Sequence, residues 1–323
     1  MSEQLIVIGE NINATRKIRI TSPRIVDYDG NKKGIKYKTI GGKEQYLDLT
    51  EILKTDPVQQ SGMVPHIGAA ILNEDKEYLW SAVKEQVDCG ADIIDLCVDE
   101  VTPYPEKRHA YMQWVIKTVQ EKIPARYTID SSDPDTIEEG LKVYDQSKGR
   151  AVLNSTNLED NRQKVIDLAK QTKSQIIANA SGQAGMPQDD NERFDNLVEL
   201  MNRMDKAGIP VEDRFLDALV FPIGAGSEYG KHFLNACKML REKYGDGVHI
   251  FGGFSNVSFG MPNRRLINET LGILSILNGC DTIMVDPKQI NVKDMIEFKL
   301  ASDALLGKDE YCMKLIEYMR AGQ

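Results

Sequence analysis

The sequence predicts an α/β protein of the (β/α)8 TIM barrel class. Apolar runs of about four to eight residues alternate strictly with amphipathic segments of about 12 to 18 residues, and eight of each occur. Short polar signatures follow the ends of several apolar runs. The 323 residues are enough for a barrel of about 250 residues with an insertion. Strict alternation favours a closed barrel over an open sheet.

The predicted elements follow in chain order. The strands are residues 5–8, 93–98, 127–129, 151–153, 174–178, 215–220, 249–254 and 282–285. The helices are residues 76–89, 107–122, 134–146, 158–172, 191–207, 227–244, 264–278 and 292–306. Asp133 and Pro134 provide an N-cap followed by proline at the first helical position. Glycines fall where helices should end, at Gly90, Gly208, Gly245 and Gly279.

Residues 14–74 separate the first strand from its helix, and we expect an insertion within a single domain of residues 1–323. The dipeptides Asp29-Gly30 and Gly41-Gly42 indicate hairpin turns. The segment is locally basic, with Arg16, Lys17, Arg19, Arg24, Lys32, Lys33, Lys36, Lys38 and Lys43. Two interpretations stay open: a solvated basic lid, or a docking surface for a partner protein.

Composition excludes several classes of function. A formal charge of -9 disfavours a nucleic acid as partner, because phosphate binding needs a basic face. No apolar run has membrane-spanning length, and the first residues lack a signal peptide pattern, so we expect no membrane partner and a cytoplasmic location. Five scattered cysteines and four unpatterned histidines indicate neither disulfides nor a metal site. We therefore expect an organic cofactor or simple hydrogen bonding.

Five polar signatures stand at the ends of predicted strands. They are GENIN from Gly9, Asp95 with Asp99-Glu100, DSS from Asp130, NSTN from Asn154 and SNVS from Ser255. Parallel barrels bind ligands at the carboxyl ends of their strands. Amide and carboxylate groups around that mouth predict a polar, flat ligand that is rich in ring nitrogens.

Each candidate also has a structural explanation. Asp130 precedes a helix, so it is either a ligand-binding carboxylate or an N-cap. Asn154 and Asn256 end apolar runs, where a lone asparagine is usually a turn former. Asp217 lies within the apolar run FLDALV, and a buried charge there needs a donor from the protein or from a ligand.

The motifs, taken together, resemble those of a known family. The stretches are IGENIN from Ile8, IIDLCVDE from Ile93, IDSSDPDTIEEGLK from Ile129, AVLNSTN from Ala151, FLDALVFP from Phe215 and FSNVSFGMPNRRLIN from Phe254. The chain resembles the pterin-binding methyltransferases, namely the methyltetrahydrofolate:corrinoid/iron-sulfur protein methyltransferases and the folate module of cobalamin-dependent methionine synthase. The resemblance implies a pterin-binding barrel of the dihydropteroate synthase-like type.

The resemblance also implies a reaction and residue roles. A methyl group would move between N5 of tetrahydrofolate and the cobalt of a corrinoid, in a direction that the sequence leaves open. Three residues would hydrogen-bond the pterin ring, namely Asp130, Asn154 and Asp217. Asn256 would be the catalytic residue beside N5, where an amide can donate without titrating. Asp95 would support the ring-binding groups.

Further candidates complete the site. Arg264 would contact the ligand or the partner. Asn11 stands where the family has a basic residue, Cys97 where it often has asparagine, and Phe259 follows the methionine synthase version of the motif. Cys97 is therefore either a packing residue or a ligand contact. The remaining candidates are Glu10, Asn13, Cys97, Asn179 and Phe259.

The resemblance implies substrates and partners as well. Tetrahydrofolate or methyltetrahydrofolate, or the analogue tetrahydromethanopterin, would be a substrate, and a corrinoid protein would dock transiently. A homodimer is expected. Three alternatives stay open: a corrinoid methyltransferase that demethylates a methoxylated or methylamine substrate, a non-catalytic pterin-binding subunit, and a dihydropteroate synthase. The last is disfavoured because no Arg-Pro-Gly loop exists and the last strand ends in Asp286-Pro287.

Overall fold

The computed structural model describes residues 5–321. Its strands are β1 (Ile6–Asn13), β2 (Lys17–Arg19), β3 (Ile25–Tyr28), β4 (Lys32–Lys38), β5 (Glu44–Asp48), β6 (Met63–Pro65), β7 (Ile93–Cys97), β8 (Arg126–Asp130), β9 (Val152–Thr156), β10 (Gln175–Asn179), β11 (Arg214–Asp217), β12 (His249–Phe251) and β13 (Thr282–Val285). Its α-helices are α1 (Asp56–Ser61), α2 (His66–Leu72), α3 (Lys76–Asp88), α4 (Pro105–Lys122), α5 (Pro134–Leu141), α6 (Gln163–Thr172), α7 (Asp190–Ala207), α8 (Tyr229–Tyr244), α9 (Arg264–Leu277), α10 (Val292–Leu305) and α11 (Met313–Ala321).

Eight strands form one sheet in the order β12-β11-β10-β9-β8-β7-β1-β13. The registers of β7 with β8, β8 with β9, β10 with β11, and β11 with β12 are all parallel. The strands at the two ends of this order also meet, because Gly253 forms a parallel bridge with Met284. The Met284 amide donates to the Gly252 carbonyl at 3.4 Å. The predicted (β/α)8 fold class is confirmed.

Contacts divide the described chain into two compact units. The first unit comprises Cys89–Asp92 and the described parts of Met1–Ile8 and Ser155–Gln323. Its sheet strands are apolar and buried, as in β10 and β11, because helices cover parallel strands on their outer faces. Helix α8 buries Phe233, Ala236, Cys237 and Leu240, which recur at helical spacing and form its core-facing stripe. The single-domain boundary stays a prediction.

The second unit comprises Gly9–Asp88 and Ile93–Asn154. All five residues of β7 are buried. Helix α5 approaches closely at Gly140, where an added Cβ would lie 2.9 Å from both Ile116 and Ile129 and 3.0 Å from Met112. Only glycine fits this contact without moving its neighbours, so Gly140 sets the distance between α5 and the end of β8 that carries Asp130.

The segment after β1 contains two small antiparallel sheets. Strands β3, β4 and β5 form a meander, and β2 pairs with β6. Ile35 and Leu47 face inward and are fully buried. Three lysines on the meander lie outside and pair with nearby acids: Lys32 with Asp29, Lys33 with Asp27, and Lys36 with Glu44, at 3.3, 2.9 and 2.8 Å.

Several element ends differ from the predictions. The predicted helix 134–146 ends at Leu141, because the next amides bond three residues back and tighten the chain into turns. The predicted strand 249–254 ends at Phe251, and Phe254–Ser258 form a 3-10 turn that contains Asn256. Helix α11 was not predicted. Within residues 5–321, no helix combines the length and apolarity that crossing a membrane requires.

Candidate functional site

Two acids, Asp95 of β7 and Asp130 at the end of β8, meet in the second unit. The register places Cys97 beside Asp130 and Asp95 beside Thr128. Asp95 is 2% exposed, and its Oδ1 accepts hydrogen bonds from the Thr128 hydroxyl and, at 3.1 Å, from Asn154 Nδ2. The Asp130 carboxyl also hydrogen-bonds Asp95. Three of the predicted site residues therefore form one contiguous group in this unit.

This group favours a shared proton. Burial raises the pKa of Asp130 well above its ordinary value, and the nearby charges of Asp95 and Asp99 raise it further. Burial also raises the pKa of Asp95. Two carboxylates in contact cannot both ionise cheaply, so one proton is held between them and Asp130 is its main carrier. Burial, followed by the same acids, raises the pKa of the Cys97 thiol, which therefore stays neutral.

The loop after β8 is fixed by side chains other than Asp130. Asp99 accepts hydrogen bonds from the Ser131 hydroxyl at 2.6 Å and from the Ser132 amide at 2.7 Å. Asp133 caps α5 by accepting from the Asp135 amide at 3.1 Å. Of the two roles considered for Asp130, the capping role belongs to Asp133, and the Asp130 carboxyl stays at the strand end.

Two candidates on β1 act locally. Glu10 pairs with Arg16 at 2.6 Å. Asn13 Oδ1 accepts from both the amide and the hydroxyl of Thr15, at 2.9 and 2.7 Å, which is an Asx-type turn. These contacts give both side chains a structural role, which is to shape the chain as it leaves β1.

Asn179 and Asp217 are register neighbours on β10 and β11 of the first unit. Asn179 donates to the Ser155 hydroxyl at 2.8 Å and accepts from the Ser181 amide at 3.0 Å, so its amide is engaged on both sides. Asp217 is the last residue of β11, and its Oδ1 accepts from the Leu219 amide at 2.8 Å. The donor that this buried acid needs is thus partly its own backbone.

The Asp217 carboxyl titrates near neutral pH. Burial raises its pKa to about 6, against the opposing effects of the Leu219 amide and the Arg193 charge. The carboxyl is therefore mostly ionised at pH 7 and protonates in mild acid, unlike Asp130.

Asn256 lies in the 3-10 turn after β12 and is half-buried. In the part of the chain that the structure describes, no hydrogen bond engages its side-chain amide. Arg264 holds this turn: its guanidinium donates to Ser258 Oγ at 2.9 Å and to the Ser255 carbonyl at 2.7 Å. The same guanidinium lies 5.0 Å from the ring centre of Phe259, which is 51% exposed. Arg264 thus supports the loop that presents Asn256.

Sequence reasoning missed two residues of these groups. Thr128, the hydroxyl donor to Asp95, sits inside an apolar strand and gave no distinct signal. Arg193 lies on the buried stripe of α7, four residues before Leu197, with no exposed surface. A charged residue at a core-facing helical position was the signal that could have found it.

Comparisons with known proteins show what the chain is similar to. A curated relative, "Methylcorrinoid:tetrahydrofolate methyltransferase" of Eubacterium limosum, is 28% identical over 267 residues, which is 81% of this chain and 94% of that protein. A dihydropteroate synthase of Coxiella burnetii, solved with pteroic acid, has a TM-score of 0.57 at 17% identity and covers 94% of this chain and 95% of its own. A Yersinia pestis dihydropteroate synthase has a TM-score of 0.56 at 15% identity, covering 71% of this chain and 89% of its own.

These structures share the fold, and the resemblance read from the motifs is confirmed. The family described as "Pterin binding enzyme" matches residues 68–286, more than half of the chain. The chain therefore belongs to the pterin-binding enzyme family.

Proposed function

We propose that this enzyme is a methyltransferase that moves a methyl group between the cobalt of a protein-bound corrinoid and N5 of tetrahydrofolate. The structural observation that carries the proposal is Asn256, a half-buried amide without a hydrogen-bonding partner in residues 5–321. The name of the Eubacterium limosum relative supports folate over tetrahydromethanopterin, and transfer from the corrinoid to folate as the direction.

The pterin ring would be recognised by Asp130, Asn154 and Asp217. Asp130, whose pKa is raised well above its ordinary value, can donate one hydrogen bond and accept another when it is protonated. Asp217, mostly ionised, can only accept, which suits the amino group of the ring. The resemblance of the motifs is what assigns these three residues to one ligand.

The reaction needs little from the protein besides orientation and one polar group. In the proposed direction, the N5 lone pair attacks the methyl carbon, the carbon–cobalt bond breaks, and its electron pair leaves with Co(I). The N5 proton is then released. Both directions pass through the same transition state, in which N5 carries its proton, so the Asn256 carbonyl oxygen can accept a hydrogen bond from N5–H in either direction. The corrinoid supplies the reactivity of cobalt.

A spectroscopic assay tests the proposal directly. The purified chain is mixed with a methylated corrinoid protein and tetrahydrofolate, and the conversion of methyl-Co(III) to Co(I) is followed by absorbance. We expect conversion that requires both the chain and the folate. Tight pterin binding without conversion, in either direction and with several corrinoid proteins, would instead indicate a binding subunit. Condensation of a pterin pyrophosphate with 4-aminobenzoate would indicate a dihydropteroate synthase.

We also propose that the chain forms a homodimer, as the family resemblance implies, and that α9 forms its interface. This helix leaves Leu266, Leu274 and Leu277 57%, 41% and 52% exposed beside an apolar groove of about 600 Å3. Exposed leucines grouped on one helix favour burial against another chain. Leu274→Asp should give a monomer in sedimentation velocity, whereas Leu72→Asp on α2 should not. A monomeric wild type would refute the homodimer.

A further inference from the structure

Arg193 on α7 has no exposed surface and holds the chain just after β11. Its Nε donates to the Ala218 carbonyl at 3.0 Å and lies 3.5 Å from the Leu219 carbonyl. Its Nη1 donates to the Asp189 carbonyl at 2.8 Å. The guanidinium therefore joins the start of α7 to the two residues that follow Asp217.

Those two residues determine where the Asp217 carboxylate points. Leu219 has a positive φ of 60°, a conformation that a leucine rarely adopts unless its surroundings impose it. In that conformation its amide donates to Asp217 Oδ1 at 2.8 Å. By fixing the carbonyls on either side of this amide, Arg193 supplies the contact that holds Leu219 in the left-handed region.

Stability alone does not explain a cation at this position. Among the described residues no carboxylate forms an ion pair with Arg193, and its Nη2 has no hydrogen-bond partner. The guanidinium carbon instead lies 4.5 Å from the ring centre of Phe221. Burial lowers the pKa of Arg193, which measures the cost of keeping this charge inside. A buried cation without a paired anion indicates a functional role.

We propose that Arg193 is the positioning residue for Asp217. It directs the Asp217 carboxylate and favours its ionised form for binding the pterin ring. This inference rests on the proposed function, because Asp217 binds the pterin only there. It deepens the proposal by naming the group that makes Asp217 an acceptor.

The electrostatic part has a defined sign. Arg193 is the charged group that acts on Asp217 among the described residues, and it lowers the pKa of Asp217. Arg193 is itself influenced by Asp189 and Asp190 at the start of α7 and by Tyr229 and Cys237 on α8. Without the guanidinium, Asp217 protonates at a higher pH, so pterin affinity is lost at a higher pH.

Calorimetric titrations with methyltetrahydrofolate between about pH 5 and pH 8.5 test the inference, because this range brackets the titration of Asp217. The variants are Arg193→Met, which removes both the charge and the hydrogen bonds, and Arg193→Lys, which keeps the charge but not the planar fork. Arg203→Met is the matched control, since Arg203 lies on the same helix and, within residues 5–321, pairs only with Glu199, at 3.1 Å.

The wild type should lose affinity as the pH falls through about 6. Arg193→Met should bind about tenfold or more weakly at pH 8, and its loss of affinity should begin at a higher pH. Arg193→Lys should keep the wild-type midpoint with reduced affinity, and Arg203→Met should match the wild type throughout. A folded Arg193→Met protein with wild-type affinity and midpoint would overturn the inference.

Folding and function are separated by two further outcomes. If Arg193→Met does not unfold cooperatively on heating, the protein is not folded and Arg193→Lys becomes the test. Wild-type affinity in Arg193→Lys would then overturn the positioning role. If the wild type itself binds no pterin, the proposed function fails before Arg193 is tested, because the comparison between variants needs wild-type binding.

Discussion

Asp130 and Asp217 are both half-buried carboxyls at the last residue of a parallel strand, yet their surroundings are opposite. Asp130 faces Asp95, Asp99 and the Cys97 thiol, and the two acids raise its pKa. Asp217 faces the charge of Arg193 and a backbone amide. Position on the sheet therefore does not set the chemistry of an acid. The neighbouring acids raise the pKa of Asp130 further, whereas the charge of Arg193 opposes the rise at Asp217.

The same contrast extends to the rest of each group. Asp95, Asp130 and Asn154 engage one another, so they form a pre-organised group, which would recognise the pterin ring under the proposed function. Asn256 is presented alone on a turn that Arg264 supports. We therefore expect substitutions in the first group to change affinity and substitutions at the turn to change rate.

The largest effect should come from Asn256→Ala. Removing one group that hydrogen-bonds a developing charge costs about 2.7 to 4 kcal/mol in other enzymes, so single-turnover methyl transfer should fall by about 100-fold or more. Pterin affinity should fall much less. Rapid-mixing absorbance of the corrinoid measures the first and calorimetry the second. Asn278→Ala, at the far end of α9, is the control. A wild-type transfer rate in Asn256→Ala would contradict the assignment of Asn256 to the reaction.

Asp217→Asn should have the next largest effect. It removes the ionised acceptor, and a hydrogen bond to a charged group contributes about 1.5 to 3 kcal/mol, so affinity for methyltetrahydrofolate at pH 8 should fall by about tenfold or more. The dependence of affinity on pH near 6 should also disappear. A binding curve measured from acid to neutral pH shows both. If Asp217→Asn keeps the wild-type pH midpoint, another group titrates there.

Asp95→Asn should stabilise the protein by about 1 to 2 kcal/mol at pH 8, because an acid with a raised pKa destabilises the folded state once the pH exceeds its unfolded value. The amide keeps the oxygen that accepts from Thr128 and Asn154 and offers Asp130 a donor. The gain should vanish below about pH 4, where the unfolded carboxyl is also protonated. Urea unfolding at the two pH values measures this. Destabilisation at pH 8 would mean that no repulsion exists between Asp95 and Asp130.

The smallest effect should come from Arg264→Met. If Arg264 only supports the turn, the transfer rate should fall a few-fold, which is equivalent to less than about 1 kcal/mol. The fall should be the same for methyltetrahydrofolate and for a methylated tetrahydropterin that lacks the benzoylglutamate tail. Single-turnover rates with both substrates measure this. A loss confined to the substrate with the tail would show that Arg264 contacts the ligand instead.

The alternation of apolar and amphipathic segments was sufficient to predict the eight-strand pattern. The polar residues at strand ends could be found because they interrupt the apolar runs. Asp130 and Asn154 end their apolar runs, so their positions followed from the sequence. Asp217 was harder, because Ala218, Leu219 and Val220 continue the apolar run beyond it. Hydrophobicity carries no information about the positive φ of Leu219, which lies two residues after the strand ends at Asp217.

Long-range partners were beyond prediction. The ionic state of Asp130 depends on Asp95, which lies 35 residues earlier in the chain, and the path of the chain between them decides whether they meet. Arg193 resembles any helical arginine until its burial is known. Asn179 appeared equivalent to Asn154, yet contacts with Ser155 and Ser181 engage it on both sides.

The paired lysines of the β3–β4–β5 meander have a kinetic consequence. Lys32, Lys33 and Lys36 each lie within 3.3 Å of an acid, so the sheet presents short-range dipoles instead of a broad positive potential. Long-range steering needs an uncompensated field, and it weakens steeply as ionic strength rises. The association rate of any protein that meets this sheet should therefore change little between low and physiological salt.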